Sequence, residues 1–295
     1  MSSDQGITRE LSLGEVVSKT FELYRRGFVK YFILFVVVEA VIGAVTTVAY
    51  SSISIPALPT SPTPQQAASW FPGFLGAVVA IGAIVGLASL VFFPLAFGGT
   101  VKMASEEIEG RAADLGGAVR FAVTKLLWMW VLGLVVGIIV GLGLIALLVP
   151  GIILGIMFSL TFQALLIENK GVAESLTRSR ELVGHRWLKT FATFLVLGIV
   201  VLVVAEIANL VSAPFGDTSR FVSSVLSAFY QPILPLATTV YFYSNRARTS
   251  PVQQASMGPT VMPAPGMKFC PNCGNQLESA ATFCSKCGAK QPAVP

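Results

Sequence analysis

Six times along the chain a run of about 20 residues passes with almost no charge, and about 20 apolar residues are what a helix needs to cross a bilayer. The runs are Phe28–Tyr50, Gly73–Val101, Leu126–Leu148, Pro150–Ile167, Trp187–Val211 and Phe221–Tyr243. Lipid offers no partner to a backbone N–H or C=O, so a spanning run must satisfy its own backbone. Open sheets are therefore excluded from these stretches, and helices are expected. Composition agrees: 54% of the 295 residues are hydrophobic and 12% charged, against about a quarter charged in soluble domains. The first ~30 residues are too long and too amphipathic for the charged head of a cleaved signal peptide, so the first run reads as an uncleaved anchor.

Lysine and arginine alternate with the runs. Before the first stand Arg9, Lys19, Arg25, Arg26 and Lys30, and the first loop, 51–72, has none. The second loop has Lys102, Arg111, Arg120 and Lys125, and the third, Val149-Pro150-Gly151, has none. The fourth has Lys170, Arg178, Arg180, Arg186 and Lys189; the fifth has only Arg220; the tail has Arg246, Arg248, Lys268, Lys286 and Lys290. Cytoplasmic loops retain the positive charge, so both termini are expected in the cytoplasm, as an even number of crossings also requires. The net charge of +5 is then a loop bias that meets anionic lipid heads, and no nucleic-acid partner is expected.

Three segments before runs look amphipathic. In SLGEVVSKTFELYRRGFVK (12–30), Ser12 and Glu15 form a capping box. Leu13, Val16, Val17, Thr20, Phe21, Tyr24 and Phe28 mark one helical face. Glu15, Lys19, Glu22 and Arg26 mark the other. Such a helix is expected to lie flat on the inner surface. Before the fifth run, Glu174 and Arg178 are expected to pair and Val172, Leu176, Ser179 and Val183 to form the apolar stripe. Before the third, Asp114 is the expected cap. A surface helix followed by two spans, three times over, is the implied repeat. Pro94 should kink or shorten the second run. The Pro-Gly turn should fold the third and fourth into an antiparallel hairpin. Glycines are plentiful in the second to fourth runs (Gly76, Gly82, Gly86; Gly133, Gly137, Gly141; Gly151, Gly155), and several are four apart, which suits close helix contacts.

The domain reading is 1–27 amphipathic helix, 28–243 six-span domain, 244–266 flexible Pro-, Ser- and Gln-rich linker, and 267–290 a cysteine module. That module, KFCPNCGNQLESAATFCSKCG, holds every cysteine: Cys270, Cys273, Cys284 and Cys287. A two-residue spacing lets one tight turn aim two thiolates at one metal, and Gly274 and Gly288 permit the turn. Four thiolates close a tetrahedral structural site with no position left for water. Disulfides do not suit a reducing cytoplasm. Iron uses the same ligands as zinc; the paired knuckles favour structural Zn2+. A module this small needs the metal to fold.

FCPNCG and FCSKCG, with Ser279-Ala280-Ala281 between them, resemble the short zinc ribbons at the ends of many bacterial and archaeal proteins. That resemblance implies an interaction or regulatory module. LLVPGIILGIMF, ESLTRSRELVGHRWLKTF and SLGEVVSKTFELYRRGF are similar to uncharacterised six-span proteins related to the membrane domain of some glycerophosphodiester phosphodiesterases. The phosphodiesterase barrel is missing from this chain, so no hydrolytic activity follows.

Two intramembrane carboxylates, Glu39 and Glu206, are candidates for cation or proton handling if they share a cavity. Otherwise each bonds a neighbouring helix through Ser, Thr or Gln163. Glu106, Glu107 and Glu109 are a candidate divalent site or a solvated helix end. Arg178, Arg180, Arg186 and Lys189 are a candidate lipid-phosphate patch. His185, the single histidine, makes no catalytic relay. The expected class is an all-α polytopic bundle of about six membrane helices and interfacial helices with a zinc ribbon. It is expected to be a non-enzyme in the inner membrane that meets the lipid bilayer and a cytosolic protein through the ribbon. A homo-oligomer is compatible with the sequence. The rival expectation is a transporter or channel using Glu39 and Glu206.

Overall fold

The computed structural model describes residues 6–57, 60–61, 63–184, 186–249, 267–269, 276–278, 281–283 and 285. The chain divides into two compact units, residues 1–247 and 248–295.

In the first unit α1 (Leu13–Ser52) and α2 (Pro64–Ile108) form an antiparallel pair. Next come α3 (Leu115–Ala146), α4 (Leu148–Met157), α5 (Thr161–Ile167) and α6 (Val172–Val183). Helix α7 (Trp187–Ser212) turns through a 3-10 segment (Ala213–Thr218) into α8 (Ser219–Ser227), and α9 (Ile233–Thr249) follows. Local chemistry sets the starts. Ser12 and Glu15 cap α1 reciprocally, at 3.3 Å and 2.8 Å, and Asp114 accepts the Gly117 N–H at 2.6 Å, both as the sequence predicts.

Five helical segments are long and apolar enough to cross a membrane: Leu13–Ser52, Pro64–Ile108, Leu115–Ala146, Leu148–Ile167 and Trp187–Ser227. Only 11% of the most apolar window of Pro64–Ile108, and of Trp187–Ser227, is buried inside the protein. A soluble monomer rarely leaves such apolar area bare, and the exposure suits a membrane protein. The sixth expected run, Phe221–Tyr243, is split between α8 and α9. Pro232 has no N–H to offer Ala228, the chain turns through 228–232 between the two helices, and most of the 17 residues of α9 are buried.

The surface helix expected over 12–30 is not separate. Helix α1 continues for 40 residues, about 60 Å at 1.5 Å per residue. Nothing breaks it at Gly27, where the Tyr31 ring and Glu107 occupy the space a side chain would need. Val16, Thr20 and Leu23 are buried, and Val16 and Leu23 share a core with Met103, Ile108, Leu182, Val183 and Tyr241. Of the face that was expected to rest on lipid, Val16 and Thr20 are covered by protein, Leu13, Val17, Tyr24 and Phe28 are partly covered, and Phe21 is exposed. Helix α6 does likewise, burying Ser175, Ser179, Leu182 and Val183. Val172 and Leu176, half of the expected stripe, are only partly buried against a second cluster.

The second arm of each hairpin is disturbed at one place, and another element repairs the backbone there. In α2, Pro94 cannot bond the Leu90 carbonyl; the Trp130 indole N–H donates to it at 2.7 Å. The helix therefore runs on to Ile108 rather than ending early. Between α4 and α5, Ser179 donates to the Met157 carbonyl at 2.7 Å and accepts the Leu160 N–H at 3.1 Å. Between α8 and α9, the Tyr24 hydroxyl donates to the Phe229 carbonyl at 2.6 Å. Irregular backbone at membrane depth persists only where protein satisfies it.

The α3–α4 joint falls at Leu147, whose φ of −161° and ψ of 139° are extended, and Pro150 and Gly151 open α4. A Cβ on Gly151 would lie 2.5 Å from Leu144, and one on Gly143 3.0 Å from the Gly151 Cα; here glycine lets two backbones touch. The expected glycine contacts are otherwise mostly missing. Gly76, Gly82, Gly86, Gly137 and Gly141 have nothing within 4 Å of a Cβ position. In the second unit β1 (Met267–Phe269) pairs antiparallel with β2 (Gln276–Glu278), Phe269 opposite Gln276.

Candidate functional site

The cysteines Cys270, Cys273, Cys284 and Cys287 lie outside the described residues, and so does most of the expected 244–266 linker. Their frame is partly visible. Strand β1 ends directly before Cys270, and β2 begins two residues after Gly274, so the hairpin connection is 270–275. Leu277 is buried, and the Ala281 N–H bonds the Glu278 carbonyl at 3.0 Å, closing a turn after β2. Phe283, before Cys284, is a β-bridge residue, as Phe269, before Cys270, is a strand residue. Each cysteine pair thus follows a strand or bridge phenylalanine in the sequence, and its two-residue spacing is the one that lets a thiolate pair share an ion. The donor set fits Zn2+.

The carboxylates Glu39 and Glu206 are not brought together. Glu39 is buried in α1, where the Gln231 side-chain amide donates to it at 2.6 Å and to the Ser227 hydroxyl at 3.1 Å. Glu206 is exposed on α7. The partner of Glu39 is thus the α8–α9 interruption rather than Gln163, which donates to Thr238 at 2.6 Å. Gln231 was missed by sequence reasoning; a lone amide beside Pro232 in an apolar run was its signal.

Glu106, Glu107 and Glu109 do not form an open ion site. Glu106 pairs with Lys102 at 3.0 Å, and Glu107 accepts the Tyr31 hydroxyl at 3.1 Å. Glu109 accepts the Tyr243 hydroxyl at 2.5 Å and pairs with Arg111 and, at 3.9 Å, Arg246. Burial alone would push the Glu109 carboxyl up. The Tyr243 hydrogen bond and the Arg111 and Arg246 guanidiniums outweigh it and hold the carboxyl below its usual range.

The basic patch is largely neutralised. Arg178 bonds Glu168 in bidentate fashion, at 2.9 Å and 3.0 Å, and Glu181 at 3.3 Å. Arg186 and Lys189 both pair with Glu10, and Lys189 also donates to the Leu11 carbonyl at 2.8 Å. Arg180 stays exposed. The expected Glu174–Arg178 pair is replaced, because Glu174 turns back to accept the Gly171 N–H at 3.3 Å. His185 lies outside the described residues.

No curated protein and no solved structure matches the chain. Residues 269–291, the stretch that holds all four cysteines, match the family model of the zinc-ribbon domain.

Proposed function

We propose that this chain is a non-enzymatic membrane protein that holds a zinc ribbon at the cytoplasmic face and uses it to recruit a protein partner. The observation that carries the reading is the union of two features in one chain. The zinc-ribbon match covers 269–291, and the first unit exposes helices long and apolar enough to cross a membrane. Cys270, Cys273, Cys284 and Cys287 would hold the ion. Bound there, it would act as a structural cross-link that fixes a small binding surface. On this reading α8 and α9 together make a sixth crossing of the cell membrane, and the lysine and arginine bias of the loops favours both termini in the cytoplasm.

The test compares proteins cross-linked to the intact chain in membranes with those cross-linked after deletion of residues 267–295 and after Cys270→Ser. Recruitment predicts specific partners that both changes abolish. An unchanged set of cross-linked partners overturns the reading.

A further inference from the structure

A groove of about 860 Å3 lies between α2 and α3, with Phe162 of α5 at its edge. Its lining side chains are apolar apart from the Trp130 indole, whose N–H is taken by the Leu90 carbonyl. Such a lining favours an apolar ligand over a polar one. The groove exists because Gly133 and Gly137 present no side chain. A Cβ on Gly137 would meet nothing within 4 Å, and one on Gly133 only the Phe162 ring, at 3.6 Å. Phe97 meets Phe162 edge-on at 5.7 Å between centroids, which closes the base.

Size decides the occupant. From Leu87 to Phe97 the groove follows about 15 Å of helix, half of a hydrocarbon core of about 30 Å. Its base, at Phe97 and Met129, lies about one helical turn from Lys102 and Lys125. A hydrocarbon chain of one leaflet matches that length, and the anionic head of its lipid would lie beside those lysines. We infer that the α2–α3 groove is a binding site for one acyl chain of a bilayer phospholipid, drawn from the leaflet next to the basic loops.

The indole of Trp130 reports on the site. In the intact chain, with Trp70, Trp128 and Trp187 changed to Phe, Trp130 fluorescence is titrated in detergent with phosphatidylglycerol brominated along one acyl chain. The site predicts quenching that saturates near one lipid per chain and is reversed by unbrominated lipid. Gly137→Leu fills the groove from the inside and should abolish the saturable phase. Gly141→Leu, one turn beyond the lining, should leave it intact. Quenching that rises in proportion to lipid, or is the same in Gly137→Leu, means ordinary surrounding lipid and overturns the inference. Quenching absent from the parent, with Gly137→Leu dissolving a dimer, means a second copy fills the groove and overturns it equally.

Discussion

Single residues do disproportionate work where the helices are interrupted. Ser179 serves a carbonyl and an N–H at once, between α4 and α5. Leaving buried polar groups unpaired costs roughly 1–3 kcal/mol. Ser179→Ala should therefore lower the thermal midpoint of the detergent-solubilised chain clearly, while Thr177→Ala, on the exposed face of α6, should not. Equal midpoints would contradict the role. Glu109 predicts a pH effect. Its folded carboxyl is held below the usual range, so the stability it contributes is complete above the ordinary carboxylate range. It is lost as pH falls through the folded value. A pH series of thermal midpoints should show Glu109→Gln lagging the parent near neutrality and converging with it in acid. A constant gap would contradict the pairing. Ser12, Glu15 and Asp114 were legible as caps because capping is local. Gln231 and the second role of Ser179 were not, because their partners lie 192 and 22 residues away.

Among elements, α1 shows where periodicity informs and where it misleads. The apolar face over 12–30 was readable, and Val16 and Thr20 at its centre are buried, while Phe21 is left exposed. The sequence does not say whether lipid or protein covers it, since both select apolar side chains. The structure answers with a straight continuation into the span. Spin labels at Ser18 and Val48 measure this directly. Thirty residues of unbroken helix give about 45 Å. A surface helix turning through a right angle near Phe28 would give about 34 Å by the same rise. The account predicts the longer distance, and the shorter one would contradict it. The glycine spacing misled for a related reason. Small residues permit close helix contact but also leave grooves, and Gly137 and Gly143 lie on the same helix with opposite outcomes.

For the molecule as a whole, the class was legible from the charge-poor runs, because the bilayer imposes a length and forbids unpaired backbone. The count was less so. A proline-interrupted run such as Phe221–Tyr243 has spanning length in sequence yet folds as two short helices around a break. Burial is concentrated in α9 and at the basic end of α2, continues along one face of α1, and leaves the apolar windows of α2 and α7 largely bare. That division suits a bundle rooted on the side of the basic loops with its hairpins in lipid. The central claim is that the cysteine module shares that side. An epitope tag appended after Pro295 measures it, by antibody binding to intact cells and to permeabilised ones. The account predicts a signal only after permeabilisation. A tag reached on intact cells would put the cysteines on the oxidising side and contradict both the topology and the metal centre.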